Sequence, residues 1–449
     1  MSDITSSGAS APRRSSLLVQ DERTKRRNAS EARFRFVGLI AVAIGVLALV
    51  GLLTSILANG LSSFQQTYAE VEVYLDPAKL DKSGDRNLEK IAKVSTFGYA
   101  PLIQAAMETT SAKAGVDISA LSSKDLVAMI SKEAPATLRN YVLANPEMIG
   151  ETVTFSLLVN GRIDGYFKGR VTMASAALDR NISPEQLQAA DDLRAAGVLD
   201  KTFNWAFFTA PDASDTRPEA AGLGVAILGS IYMMLIVLCL SLPLGVAASI
   251  YLEEFAPQNR FTDLIEVNIS NLAAVPSIVF GILGLAIFIN VVGLPQSAPI
   301  VGGLVLTLMT LPTIIIATRA ALKSVPPSIR DAALGVGASK MQAIFHHVLP
   351  LAMPGILTGA IIGLAQALGE TAPLLLIGMV AFVREYPAGP PEGLFDPAAA
   401  LHVQVYNWTQ RGDPAFVERA SGAIIVLLVF LILMNTVAIL LRRKFERRW

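Results

Sequence analysis

Asp331-Ala332-Ala333-Leu334-Gly335-Val336-Gly337, then nine residues, then His347-Val348-Leu349-Pro350, forms a polar stretch set between two long apolar runs. Ala332 and Ala333 are small and helix-favouring, Gly337 permits a sharp change of direction, and Pro350 can open a helix without needing its amide hydrogen. The stretch therefore reads as a short helix, a turn and a second short helix. Ordered polar chain of this length between apolar runs implies a soluble partner that docks on it.

The composition says what those runs are. Of 449 residues 52% are hydrophobic and only 16% charged, far from the balance of a soluble domain. Lys+Arg and Asp+Glu cancel at 37 each, which gives no case for nucleic acid. The expected fold class is an α-helical polytopic membrane protein with six transmembrane helices and an α+β extramembrane (periplasmic) domain between helices 1 and 2. Six segments approach or exceed the roughly 20 residues a spanning helix needs: Phe36 to Ala58, Leu223 to Leu252, Leu264 to Asn290, Ala298 to Thr318, Leu351 to Val380 and Ser421 to Leu441. The single cysteine, Cys239, lies in the second run and reads as a buried small hydrophobe; it offers no disulfide framework and no metal site.

Basic flanks set the orientation. Arg23, Lys25, Arg26, Arg27, Arg33 and Arg35 precede the first run, and Arg442, Arg443, Lys444, Arg447 and Arg448 follow the last. By the positive-inside rule both termini are expected in the cytoplasm, and with them the loop 319–350. Residues 1–35 read as a disordered basic leader whose arginines suit anionic membrane lipid. Residues 36–58 are then an uncleaved anchor, because the polar lead is too long for a secretory signal. Residues 59–221 form the external domain. Alternation in 71–75 and 152–159 predicts strands, Asn160-Gly161 predicts a two-residue hairpin turn, and Ser183-Pro184-Glu185-Gln186 predicts a capped helix start. Residues 222–445 are the five-helix remainder of the membrane part.

Inside that remainder the informative residues are polar or helix-breaking. Pro243, Pro276, Pro312 and Pro373 fall within apolar runs, where kinks and close helix contacts are expected. Glu370, in Gly369-Glu370-Thr371-Ala372-Pro373, reads as a carboxyl group within the fifth span, and an ionisable group at that depth points to a pathway or a pairing. Gln366, Thr371, Thr310, Asn271 and Ser277 are candidates to line the same passage. No catalytic or metal-ligating constellation stands out, and no G-x-x-x-x-G-K-[ST] phosphate loop occurs, so the chain reads as neither an enzyme nor an ATPase.

The opening stretch resembles the E-A-A, three residues, G, nine residues, I, one residue, L-P signature of the permease subunits of bacterial ATP-binding-cassette importers. Asp331 stands for the usual Glu and His347 for the usual apolar residue. Pro354 to Gly359 with Leu368 to Leu375, and upstream Ser241 to Gly245, Tyr251 to Phe255 and Val275 to Val279, are similar to the phosphate-transport permeases of the PstA type. The likeness runs from about Phe203 to Arg443. It implies an inner-membrane importer of inorganic phosphate with a PstC-like second permease, a PstB-like ATPase dimer that uses the ATP, and a periplasmic phosphate-binding protein. No cofactor is implied for this chain. Asp331, Ala332, Ala333, Gly337, His347, Leu349 and Pro350 would couple to the ATPase, and Gln366 stands where many relatives have arginine. Two other readings are a permease for another oxyanion (sulfate, molybdate or phosphonate) and a membrane-anchored sensor.

Overall fold

The computed structural model describes residues 22–380 and 382–445; the expected leader before Glu22 lies outside them. The chain divides into two compact units, residues 1–55 and 56–449. In the first, α1 (Glu22–Gly60, whose last residues enter the second unit) starts well before Phe36. Disorder is therefore not what residues 22–35 show. Alanine, arginine and glutamate are strong helix formers, and Glu31 pairs with Arg35 one turn on at 3.4 Å, so the basic segment continues the apolar helix.

The α+β domain is built on a three-stranded antiparallel sheet of order β2-β1-β3. β1 (Gln65–Tyr74) alternates, with Ala69, Val71 and Val73 buried and Glu70, Glu72 and Tyr74 outward. α2 (Ala100–Ala114) packs on the sheet. β2 (Thr152–Leu158) pairs with β1 from Tyr68 opposite Leu158 to Tyr74 opposite Thr152. The expected hairpin at Asn160-Gly161 does not form. Asn160 (φ −56°) caps α3 (Gly161–Phe167), its side chain accepting from the Arg162 amide at 2.8 Å, whereas a type I′ turn needs positive φ at both central residues. α4 (Pro184–Ala195) begins at a capping box between Ser183 and Gln186. β3 (Leu199–Phe203), too short to signal itself, lies on the other side of β1 with Phe203 opposite Gln65.

The membrane part contains α5 (Gly224–Ile250), α6 (Arg260–Ala273), α7 (Ser277–Leu283, continued by a π-helical stretch Gly284–Val291), α8 (Pro299–Lys323), α9 (Pro327–Gly335), α10 (Leu349–Gly369), α11 (Ala372–Leu376), α12 (Leu401–Gln410) and α13 (Pro414–Phe445). Among the described residues five helices are long and apolar enough to span a bilayer, and α6 with the α7 segment is a bent pair at 104°. The third expected span is thus not one straight helix. Pro276 lacks an amide donor and disfavours helical geometry at Val275, and the 14 residues of α6 rise only about 21 Å, short of a hydrocarbon core. The fifth expected span also stops early, at Gly369. Glu370 is extended (ψ 106°), so it occupies a break at the helix end. Cys239 is at the exposed surface of α5, not buried.

Small residues let the long helices touch. At Gly245 an added Cβ would lie 2.7 Å from Ile314, and at Gly303 2.6 Å from Ile236, so α5 and α8 pack at backbone distance. At the other end of the membrane part a buried charge cluster holds the α+β domain to α13. Lys168, just past α3, donates to Asp164 at 2.7 Å and to Glu418 at 2.9 Å, with its side chain 1% exposed. Thr67 of β1 donates to Asp164 through both amide and hydroxyl at 3.0 Å. Arg419 donates to Gln66 at 2.6 Å and to the Glu219 carbonyl at 2.9 Å.

Two outcomes follow from this cluster. Replacing Lys168 by Met removes the fully buried one of the two cations that Asp164 and Glu418 share, leaving Arg170 alone against both carboxylates, an expected loss of about 3 kcal/mol read as a lowered Tm of the detergent-solubilised chain; an unchanged Tm would contradict the packing. Glu219 gives a pH signature. Burial raises its carboxyl above the ordinary 4.5, outweighing the Ser131 hydrogen bond and the Arg419 charge. The folded chain therefore holds this proton more tightly than the unfolded chain does. Its contribution to stability falls as pH rises from about the ordinary value through the folded pKa. The Tm advantage of Glu219→Gln over wild type is expected to grow across that window, and a pH-independent difference would count against it.

Candidate functional site

The polar loop after α8 is a fixed structure. Pro327 opens α9, whose last turn ends in Gly335, and Gly337 takes a left-handed φ of +91° that a residue with a Cβ adopts only under strain. Ser339 and Gln342 form a reciprocal capping box for the next turn, which runs through a π-helical segment (Ile344–Val348) into α10. The inner side of the loop is apolar: Ile344 and Val348 join Leu322, Val325, Ala352 and Ile356 in one buried cluster. Ala333, 6% exposed, also faces inward.

Ion pairs brace the loop to the helix ends beside it. The Arg330 guanidinium takes both oxygens' side of Glu254, with Nε at 3.0 Å and Nη2 at 2.6 Å from Oε1, and also donates to the carbonyls of Val325 (2.8 Å) and Leu322 (2.9 Å). Arg319 of α8 donates to Glu253 at 3.3 Å and to Glu266 of α6 at 2.6 Å. A planar fork that also satisfies terminal helix carbonyls leaves the loop little freedom. Lys340 lies 5.0 Å over the Phe255 ring. The sequence reading missed this frame, although the Glu253-Glu254 pair on the same expected side as Arg319 and Arg330 was its signal.

The outer side of the loop holds the expected coupling residues and more. Asp331, Ala332 and His347 are exposed, while Leu349 and Pro350 are half-buried where α10 begins. Exposed beside them are Leu334, Val336, Met341 and Phe345, with Val336 at 87%. These exposed apolar side chains, interspersed in the chain with the exposed Asp331, Lys340 and His347, had not been singled out from the sequence. His347 is exposed, so the apolar residue it stands for leaves no hole in the core.

The expected pathway residues separate into three groups. Ser277 starts α7 and Thr371 precedes α11, and these two short helices pack so closely that a Cβ at Gly281 would meet the Pro373 Cα at 2.7 Å. Glu370 and Thr371 are half-buried at the break. Gln366 on α10 and Asn271 on α6 are exposed, the latter across the Pro276 bend from Ser277. Thr310 is different. It is fully buried in α8 with its hydroxyl turned back to the Thr307 carbonyl at 3.2 Å. Among the described residues no group of three or more His, Cys, Asp or Glu side chains is placed to hold a metal ion.

Comparison with known proteins bears on both halves of the chain. A family model described as "Binding-protein-dependent transport system inner membrane component" matches residues 241–449, and one described as "Domain of unknown function (DUF3333)" matches residues 21–177. The chain is 33% identical to the "Probable ABC transporter permease protein YqgI" of Bacillus subtilis over 230 residues, 49% of this chain and 78% of the relative. It is 32% identical to "Phosphate transport system permease protein PstA 2" of Mycobacterium tuberculosis over 252 residues, 55% of this chain and 79% of the relative. Among solved structures, the inward-facing MetNI methionine ABC transporter aligns at 17% identity with a TM-score of 0.38, over 50% of this chain and 95% of that one.

Replacing Arg330 by Leu is expected to leave Glu254 without its cation in a site where that side chain is 8% exposed, at a cost of about 3 kcal/mol. Limited proteolysis would read it as new cleavage between residues 325 and 345. A digestion pattern identical to wild type would show that the ion pair does not brace the loop.

Proposed function

Because the chain belongs to the family of inner-membrane permease components of binding-protein-dependent ABC transport systems, we propose that it is the permease subunit of an ATP-driven importer of inorganic phosphate. The observation that carries the solute is the PstA relative, matched over most of its own length. The observation that carries the coupling is the loop with its ion-paired inner frame and apolar outer patch. In this reading ATP is hydrolysed on a separate subunit, and the chain works by changing shape.

The mechanism follows from the bracing. An ATPase dimer of the PstB type, seated on Leu334, Val336, Met341 and Phe345, would move the loop as a body. Arg330–Glu254 and Arg319–Glu266 would pass that motion to the ends of α5 and α6 without slack. Rocking of α6 and α7 about the Pro276 bend would open and close the passage beside Glu370, Thr371, Ser277 and Gln366, formed with a PstC-like second permease. Asn271 would lie at the outer margin of that path. In this reading both termini and the loop lie in the cytoplasm, and the α+β domain between helices 1 and 2 lies in the periplasm, where a phosphate-binding protein would deliver the solute.

The test is uptake of radiolabelled phosphate by vesicles containing this chain and its partner subunits. Gly337→Trp is expected to leave the protein inserted and folded while uptake falls by at least about tenfold, since φ of +91° is costly for any side chain. Excess sulfate or molybdate should not compete. Uptake unchanged by the substitution would remove the loop's coupling role, and uptake insensitive to unlabelled phosphate would remove the solute assignment.

A further inference from the structure

We propose that Phe203, Trp205 and Leu61 form a lipid-binding foot that seats the α+β domain in the headgroup boundary of the bilayer. Asn204, 1% exposed, fixes the local backbone: its amide donates to the Phe64 carbonyl at 2.8 Å, its side chain donates to the Ser63 carbonyl at 3.2 Å and accepts from the Phe207 amide at 3.1 Å. With Asn204 held inward, the residues on either side are turned out. Phe203 is 47% exposed, Trp205 70% and Leu61 56%. The aromatic group is rigid, because Phe203 contacts Trp205 edge-on at 4.8 Å and stacks on Phe208, which stacks in turn on Phe64 at 5.7 Å.

The height of this foot is set by the helices it touches. On α13, Glu418 and Arg419 precede a run from Ser421 to Leu441 with no charged residue, so the polar-to-apolar change falls at Ser421. Gly60, at the end of α1, packs on that residue: an added Cβ would lie 2.7 Å from the Ser421 backbone. Gly422 likewise leaves no room against Ser63 (2.7 Å) and Phe207 (3.1 Å). Gly222, just before the apolar run of α5, is packed on the carbonyls of Ala206 and Ala210. The ends of three apolar runs therefore contact the short segments that carry Leu61 and that follow Trp205, next to the exposed Phe203, Trp205 and Leu61. Indole and phenyl rings are favoured at that depth, where one side meets hydrocarbon and the other meets headgroups and water. Continuity with the spanning surface is what identifies the occupant as phospholipid. The domain would then be held at a fixed height by the buried charge cluster on one side and by lipid on the other.

The full chain in nanodiscs tests this without reference to transport. Trp205 emission is isolated as the difference between wild type and Trp205→Phe, since Trp408 and Trp449 are common to both. In discs of phosphatidylcholine brominated high on its acyl chains, that difference signal is expected to fall by about half or more relative to unbrominated lipid, as for an interfacial indole. Quenching by aqueous iodide should be weak. Full quenching by iodide with none by bromolipid would place Trp205 in water, and protection from both would place a protein against it; either result overturns the proposal.

Discussion

Backbone amides and carbonyls have no water to bond inside a hydrocarbon layer, and this constraint governs where the membrane part can be irregular. The chain departs from helix at Pro276 and again at Glu370, and the structure brings the two departures together. α7, which follows the first, packs on α11, which follows the second, at a distance only Gly281 allows. The carbonyls freed after α11 are recovered by one residue: the Ser297 hydroxyl donates to Gly378 at 2.5 Å and its amide to Ile377 at 3.2 Å. Ser297 holds a φ of +60° to do so, a strained backbone stabilised by the bonds it makes. Broken helices can line a passage only if their loose ends are satisfied elsewhere, and here the surrounding protein supplies the partners.

Charge is concentrated at the two ends of this apolar body and does structural work there. At one end Arg319 and Arg330 bind Glu253, Glu254 and Glu266, so that the loop, α5, α6 and α8 share one ionic frame. At the other, Lys168 and Arg170 bind Asp164 and Glu418 and hold the sheet domain to α13. Buried pairs of this kind add little net stability but strongly penalise any arrangement that separates them. Under the proposed function, such pairs would let the braced parts move as bodies. A flexible loop would absorb a push from outside, whereas a braced one delivers it to the helices.

The legible features were those written in local order. Apolar length announced the spans, the capping box at Ser183 announced α4, and alternation announced β1 and β2. The misreadings share one cause, that local pattern is silent on long-range partners. Asn160-Gly161 has the letters of a hairpin turn, but β2 pairs with a strand far back in the chain and Asn160 is used as a cap. Residues 264–290 have the hydropathy of one span, but a proline inside the run turns the chain through 104°. Cys239 has the chemistry of a buried small hydrophobe, yet it sits on the exposed surface of α5.

The sequence by itself determined that the chain carries long apolar helical segments, roughly where they lie, and that the stretch around Asp331 to Pro350 is a polar connector that can turn at Gly337. Those properties depend on hydrophobicity and on backbone preference, both of which are local. Only the tertiary structure decided that Arg330 reaches Glu254, that the breaks at Pro276 and Glu370 support one another, and that Leu334, Val336, Met341 and Phe345 are left exposed while Ile344 and Val348 are buried. These depend on distances between residues far apart in the chain, which close packing sets and local sequence does not encode.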